Sequence, residues 1–254
     1  MPNNSRSFFH GLILPLRALR HLLSRPKMLL LALAPLTINL ILFSALLYWG
    51  FSEFAGLIDG WLSARQGWQW QTLIVLAKIL FWPLVLLVVF FIFTPVALLV
   101  GAPFYDWLSE KTEEEMGLAL PQDEGPFLLS LAREIKRTVM AESQKLVFIG
   151  ITYGALFALN IIPLFGSPLF LVSSVYWTWR WSAFEFVSYA ADRRRWPWKK
   201  TWSLLKTSPA LSLGFGVAAG AALYIPLLNA LAVPVLAVAG GMLFAQLNSR
   251  SKTT

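Results

Sequence analysis

The sequence predicts an all-α membrane protein, and three observations carry that reading. Four long stretches, 28–52, 79–105, 146–179 and 207–249, contain no Asp, Glu, Lys or Arg. Hydrophobic residues make up 57% of the chain and charged residues only 13%, about half the ~25% charged content of an ordinary soluble domain. Prolines sit at the centre of the last two uncharged stretches, in "NIIPLFGSP" at 160–168 and "YIPLLNALAVP" at 224–234. The prediction is two long transmembrane helices, two Pro-turned hemi-penetrating helical hairpins, and interfacial amphipathic helices, together forming a single integral membrane domain over 1–254.

Residues 5–24, "SRSFFHGLILPLRALRHLLS", interleave arginine with Leu and Phe, as an interfacial helix does. The first uncharged stretch, 28–52, would reach about 37 Å as a helix, enough for a hydrocarbon core of about 30 Å. It is also too long for the ~7–15-residue apolar core of a signal peptide and reads as a retained anchor. Tyr48, Trp49 and Phe51 mark its far end at headgroup level. The second stretch, 79–105, also spans. Pro83 and Pro95 should kink it without breaking it, because neighbouring helices can take up the freed carbonyls.

Residues 106–145 read as cytoplasmic or interfacial helices. Leu128, Leu131, Ile135 and Val139 share one helical face, and "GLALPQDEGP" is a turn-rich linker. The run Glu113, Glu114, Glu115 reads as a solvated charge cluster.

The third and fourth uncharged stretches, 146–179 and 207–249, read as membrane hairpins. Pro163, Gly166 and Pro168 mark the first tip; Pro226 and Asn229, with Pro234 beyond them, mark the second. The arms come to about 22 Å in the first hairpin and about 28 Å in the second. Irregular backbone at membrane depth survives only where protein or a wet cavity surrounds it, so the tips belong at a subunit interface or beside a pathway. A conventional six-span protein is the rival arrangement.

Charge asymmetry sets the orientation. Residues 1–27 carry five Lys/Arg and no acid, 106–145 carry five, 180–206 carry seven, and the 53–78 loop only two. Basic residues concentrate on the cytoplasmic side, so both termini are expected there, with 53–78 outside. The densest cluster, Arg193, Arg194, Arg195, Lys199 and Lys200 with Trp196 and Trp198 between them, reads as anchoring to anionic membrane lipid rather than to nucleic acid.

Several chemistries are absent. With no cysteine, disulfide and thiolate chemistry is excluded, and His10 and His21 alone make no metal site. No nucleophile–base arrangement or phosphate loop is present, so neither an enzyme nor a cofactor is expected. "SRPK" at 24–27 carries more information. Ser24 can cap a helix whose first turn holds Pro26. The free N–H groups there, beside Arg25 and Lys27, could hold an anion, although an ordinary helix start at a basic interface accounts for the same residues.

"LSRPKMLLLALAPLTINL", "GAPFYDWLSEK", "ESQKL", "NIIPLFGSP" and "YIPLLNALAVP" follow one another as in the CysZ-type sulfate permeases of bacterial inner membranes, and from about residue 8 to 248 the chain resembles that family. The resemblance implies sulfate uptake for cysteine synthesis by a multi-pass inner-membrane protein. It also implies a homo-oligomeric assembly, with a hexamer as the expectation. It places sulfate near Ser24, Arg25, Lys27 and Met28. Many relatives have Pro-Gly-(Leu/Ile)-Arg-Arg where this chain has Pro26-Lys27-Met28-Leu29-Leu30, so Arg25 and Lys27 would have to supply the charge. Glu142, Gln144 and Lys145 match a second family motif whose basic pair is here Met140 and Ala141, and Lys136 and Arg137 stand one helical turn earlier as substitutes. Glu110 matches an acidic position and is expected to form an ion pair near the pathway. A non-transporting membrane scaffold and a permease for sulfite or thiosulfate are the alternative readings.

Overall fold

The computed structural model describes residues 4–62, 68–118 and 127–251. Among these the chain is helical and shows no strand. The helices are α1 (Asn4–Leu23), α2 (Pro26–Leu62), α3 (Trp68–Glu115), α4 (Phe127–Ala158), α5 (Gly166–Arg193), α6 (Trp198–Thr207), α7 (Pro209–Tyr224) and α8 (Pro226–Ser251), with a short 3₁₀ turn at Leu159–Ile161. Two compact units result, Met1–Leu29 with Tyr105–Thr254, and Leu30–Phe104.

The second unit holds most of α2 and α3. Its apolar side chains face outward: Leu30, Leu40, Ile41, Tyr48, Ile79 and Leu80 are all exposed. Only 11% of the span Pro26–Gly50 is buried. A helix that is apolar all round and unburied by protein is a membrane helix. Asn39 Nδ2 donates to the Ala97 carbonyl at 3.3 Å, joining α2 to α3; such interhelical bonds in lipid contribute about 0.6–2 kcal/mol. α3 has 48 residues and runs unbroken past positions 83 and 95. At about 72 Å it is far longer than a hydrocarbon core, so its charged end continues out of the apolar span. Besides Pro26–Gly50, Ser143–Ile161 and Leu231–Ser251 are long and apolar enough to cross a membrane.

The first unit packs α1, α5, α7 and α8 around Leu14, Phe184, Phe215, Leu236, Leu243 and Phe244, all almost fully buried. α1 was expected only to lie at the interface. It does more: Ser7, Gly11, Leu14, Ala18 and Leu22 form a buried stripe at helical spacing, packed on α7 and α8. Phe9, Leu16 and Leu23 stay exposed. The contact with α7 depends on absent side chains. A Cβ on Gly11 would strike the Leu211 carbonyl, and one on Gly214 would strike that of Phe8. Small residues let helix backbones approach closely where lipid offers little hydrophobic drive.

α4 and α5 run antiparallel. Tyr153 pairs with Thr178 at 2.8 Å, and further from the turn Lys145 Nζ reaches Asp192 at 3.3 Å. The turn is Ile162–Phe165, with Leu164 in the left-handed region at φ 70°. Pro163 lies in this turn, whereas Gly166 and Pro168 start α5. The first arm exceeds the expected length, because Ser143–Ile161 has 19 residues, or about 28 Å. Arm length alone therefore does not separate a dipping hairpin from a crossing one.

α8 also returns beside α7, since Arg250 near its end donates to Ser208, which precedes α7, at 3.1 Å. The break falls at a single extended residue, Ile225, one position before the expected tip. Pro226 opens α8, its side chain lying outside the described residues. Asn229 sits in the first turn, its N–H donating to Ile225 O at 2.8 Å, and Pro234 lies within the helix. Proline suits the first helical turn because its missing N–H has no partner to lose there.

The Gly11–Gly214 approach yields a prediction. Gly214→Ala should destabilise the detergent-solubilised protein by about 1–3 kcal/mol through overpacking, read as a lowered melting temperature. Gly150→Ala, where a Cβ meets open space, should leave it unchanged or slightly higher.

Candidate functional site

Two helix ends bring the charges of the first unit together. α3 ends in a Schellman motif: Leu118 N–H donates to Glu113 O and Gly117 N–H to Glu114 O, both at 3.0 Å, with Gly117 at φ 74°. α5 ends the same way, with Trp196 N–H on Ala191 O at 3.0 Å and Arg195 N–H on Asp192 O at 2.9 Å. There the left-handed position is Arg195 (φ 56°) rather than the usual glycine.

Between these ends lies Glu113, fully buried. Its Oε1 accepts from Arg193 Nη2 at 2.5 Å and from Ser109 Oγ at 3.3 Å; its Oε2 pairs with Arg194 Nη1. Arg193 Nη1 donates to Asp106 Oδ1 at 2.6 Å and to the Asp106 carbonyl at 3.0 Å. Burial lifts the Asp106 carboxyl above its usual range, against the opposing pull of Arg193. The solvated-cluster reading of the three glutamates is therefore corrected at Glu113. Glu114, paired with Lys111 at 2.6 Å, and Glu115 are exposed, as that reading has them. The anchoring reading of the basic cluster is corrected at Arg193 and Arg194, which turn inward to this carboxylate.

Glu115 links α3 to the α1–α2 junction. Its Oε2 lies 3.6 Å from Arg25 Nη2 and 2.7 Å from His21 Nε2. The His21 atom is buried and off the line of a hydrogen bond, so that contact is one of proximity. The expected anion residues sit at this junction. Ser24 does not cap α2; its hydroxyl donates back to His21 O at 2.7 Å, closing the end of α1. The capping position falls to Arg25, whose carbonyl accepts from Leu29 N–H at 2.9 Å, and Pro26 takes the first turn as expected. The N–H groups of Lys27 and Met28 lie in that turn, where an α-helix offers them no internal acceptor. The Met28 side chain is buried. Lys27 is exposed and has no carboxylate partner among the described residues.

The pathway candidates divide. Lys145 is buried against Asp192 and stands 5.8 Å from the Phe184 ring. Gln144, next to it, is exposed. Glu110 is half-buried and has no ion-pair partner among the described residues, so the pairing expected of it is absent there. Lys136, Arg137 and Glu142 fall on α4, but their side chains lie outside the described residues. Sequence reasoning missed Asp106, Ser109, Glu113, Asp192, Arg193 and Arg194 as a network. One signal was available: Asp106, Ser109 and Glu113 are three and four residues apart, hence on one helical face.

Comparison with known proteins bears on this geometry. A family model described as "Sulfate transporter CysZ/Etoposide-induced protein 2.4" matches residues 14–234. The chain belongs to this family. It is 35% identical over 232 residues to a protein of Pseudomonas syringae pv. tomato named sulfate transporter CysZ, covering 88% of this chain and 87% of that one. A protein of the same name from Pseudomonas aeruginosa is 32% identical over 234 residues, covering 88% and 89%. One from Vibrio parahaemolyticus is 28% identical over 206 residues, covering 79% and 80%. The matched family region includes Arg25, Lys27, Glu113 and Arg193 alike.

Glu113→Ala should take the shared buried carboxylate away from Arg193 and Arg194 and destabilise the protein by about 3–5 kcal/mol, measured by thermal unfolding in detergent. Replacing Glu113, Arg193 and Arg194 together by Leu, Met and Leu should recover much of that loss. Equal melting temperatures for wild type and Glu113→Ala would show that the network carries no stability.

Proposed function

We propose that this chain is a sulfate permease of the bacterial inner membrane. The observation that carries the reading is identity of 35% across nearly the whole length of a protein named sulfate transporter CysZ. Physical chemistry supplies the need. Sulfate is a dianion at neutral pH, and an ion of that charge crosses hydrocarbon only along a wet, protein-lined route. An inside-negative potential opposes its entry by about 2.3 kcal/mol per charge per 100 mV. Uptake therefore runs down a sulfate gradient or is coupled to a cation.

In this reading sulfate is first held at the start of α2. The N–H groups of Lys27 and Met28, the Lys27 ammonium and the Arg25 guanidinium converge on one short segment. Glu115 competes for Arg25 at 3.6 Å, so binding the dianion releases that ion pair. Ser24 shapes the junction through its bond to His21 O. Gln144, Lys145, Glu110, Lys136, Arg137 and Glu142 are the candidates for the onward path.

The proposed topology has both termini cytoplasmic, α2 and α3 crossing, and both hairpins turning inside the membrane. What supports the last point is the chemistry of the tips. Ile161, Leu164 and Phe165 are exposed at the first turn, Leu164 at 87%, and Tyr224 and Ile225 at the second. A turn that emerged into water would carry polar residues; these belong in lipid or under a neighbouring subunit of a homo-oligomer.

Labelled sulfate should enter liposomes containing only this protein, with sulfite and thiosulfate as competitors to rank the oxyanions. Absence of flux with folded protein would leave a membrane scaffold as the better reading. Arg25→Ala with Lys27→Ala should weaken sulfate binding by at least about fivefold, roughly 1 kcal/mol, and Glu115→Gln should strengthen it. Unchanged affinity in both would move the site elsewhere. The chain has no cysteine, so topology can be read with single introduced thiols. Phe165→Cys and Ile225→Cys should resist an impermeant maleimide added to intact cells, while Gln66→Cys should react. Ready labelling at 165 or 225 would replace the dipping hairpins with crossing ones.

A further inference from the structure

Away from the Arg25–Lys27 junction, the first unit contains a cavity of about 310 Å³ lined by Phe148 of α4, Trp177 and Arg180 of α5, and Trp198, Lys199, Trp202 and Lys206 of α6. Every ionisable group on its wall is a cation. None of the three has a carboxylate partner among the described residues, whereas Arg193, Arg194 and Lys145 of the same unit all do. Two of them stand over rings: the Arg180 guanidinium lies 5.4 Å from the Trp202 ring and Lys199 Nζ lies 5.9 Å from that of Trp198. Arg180 is half-buried and Lys199 and Lys206 are exposed at the rim; three cations around one cavity without a counter-charge make it a place for an anion.

A second observation points the same way. The indole Nε1 atoms of Trp177 and Trp202 are both buried and have no hydrogen-bond partner, and the Trp202 side chain is only 8% exposed. An indole N–H is a donor only, and a buried donor left unpaired is destabilising. What is missing is therefore an acceptor. The rings themselves are held in place: Trp177 and Trp202 meet at a tilt with 5.6 Å between centroids, and Phe148 contacts Trp177 at 5.8 Å and Trp198 at 4.8 Å. The spacing 198, 202, 206 puts one face of α6 on the cavity.

Position and size define the ligand. Arg180 is the first charge after the uncharged stretch 146–179, and Lys206 is the last before 207–249. The cavity thus sits where the chain passes from apolar to charged, the level of headgroups and of the tryptophan belt. Its volume is at the low end for small-molecule pockets and well above what a bare tetrahedral ion fills, and four aromatic rings would cover an apolar body. We propose that this cavity is a binding site for the phosphate head group of an anionic phospholipid, with Arg180, Lys199 and Lys206 supplying charge and Trp177 and Trp202 donating hydrogen bonds. The proposal does not depend on the permease reading.

The test uses the full chain in non-ionic detergent, with quenching of tryptophan fluorescence by phosphatidylglycerol or phosphatidylcholine brominated on the acyl chains. Phosphatidylglycerol should quench at a mole fraction at least about fivefold lower. Lys199→Gln with Lys206→Gln, both exposed and so tolerated by the fold, should abolish that preference. Arg6→Gln with Arg20→Gln, exposed cations on α1, should leave it intact. Trp202→Phe, which keeps the ring and removes the N–H, should weaken it. Equal quenching by the two lipids would overturn the proposal, as would loss of the preference in the α1 variant, which would mark diffuse surface charge. Displacement of the lipid by millimolar inorganic phosphate or sulfate would overturn the lipid assignment and give the cavity to a free oxyanion.

Discussion

A carboxylate removed from water has to have its charge answered on the spot. Glu113 is completely buried, and the answer comes from two arginines about 80 positions further along the chain. This requirement ties the end of α3 to the end of α5. Both helices stop in Schellman motifs at the site, which also satisfies their last carbonyls. Removing one member exposes the others to an unpaired low-dielectric environment, whereas removing all of them together costs little. The network is best understood as a fastening that specifies one arrangement of helix ends.

The remainder of the first unit is built by a different force. In lipid, apolar side chains gain little by leaving one hydrocarbon for another, so close approach of backbones takes over. Gly11 and Gly214 bring α1 against α7, and Gly216 and Gly240 do the same for α7 and α8 against α5, where an added Cβ would meet the carbonyls of Trp179 and Phe186. α1 is therefore a packed member of the unit, although its arginines and leucines alone would place it on the membrane surface.

The cations outside the Glu113 network stand in two distinct environments. At the α1–α2 junction the cations are exposed and one of them is shared with Glu115, an arrangement suited to an ion that must come and go. In the cavity between α4, α5 and α6 aromatic rings line the wall, and Arg180, Lys199 and Lys206 have no carboxylate partner among the described residues. A net charge of +8 does not distinguish these environments; the placement of acidic partners does.

Much of the fold was legible in the sequence because membrane residence is a local property. Each apolar side chain contributes its own transfer free energy, so the uncharged stretches located α2, α3 and both hairpins without reference to one another. Pro26 announced a helix start for an equally local reason, its fixed φ. The second turn was misplaced by one residue because proline prefers the first position of a helix over the turn itself. The charges were another matter. Glu113 looked like one of three solvated glutamates, and Arg193 and Arg194 like lipid anchors, because pairing depends on which distant residues share a volume. Trp177 and Trp202 likewise became unpaired donors only once α5 and α6 had packed. Composition along the chain determined which segments are apolar enough to meet lipid; tertiary structure alone decided which charges and donors have partners, because electrostatics in a low-dielectric interior is settled by distances of a few ångströms between groups far apart in sequence.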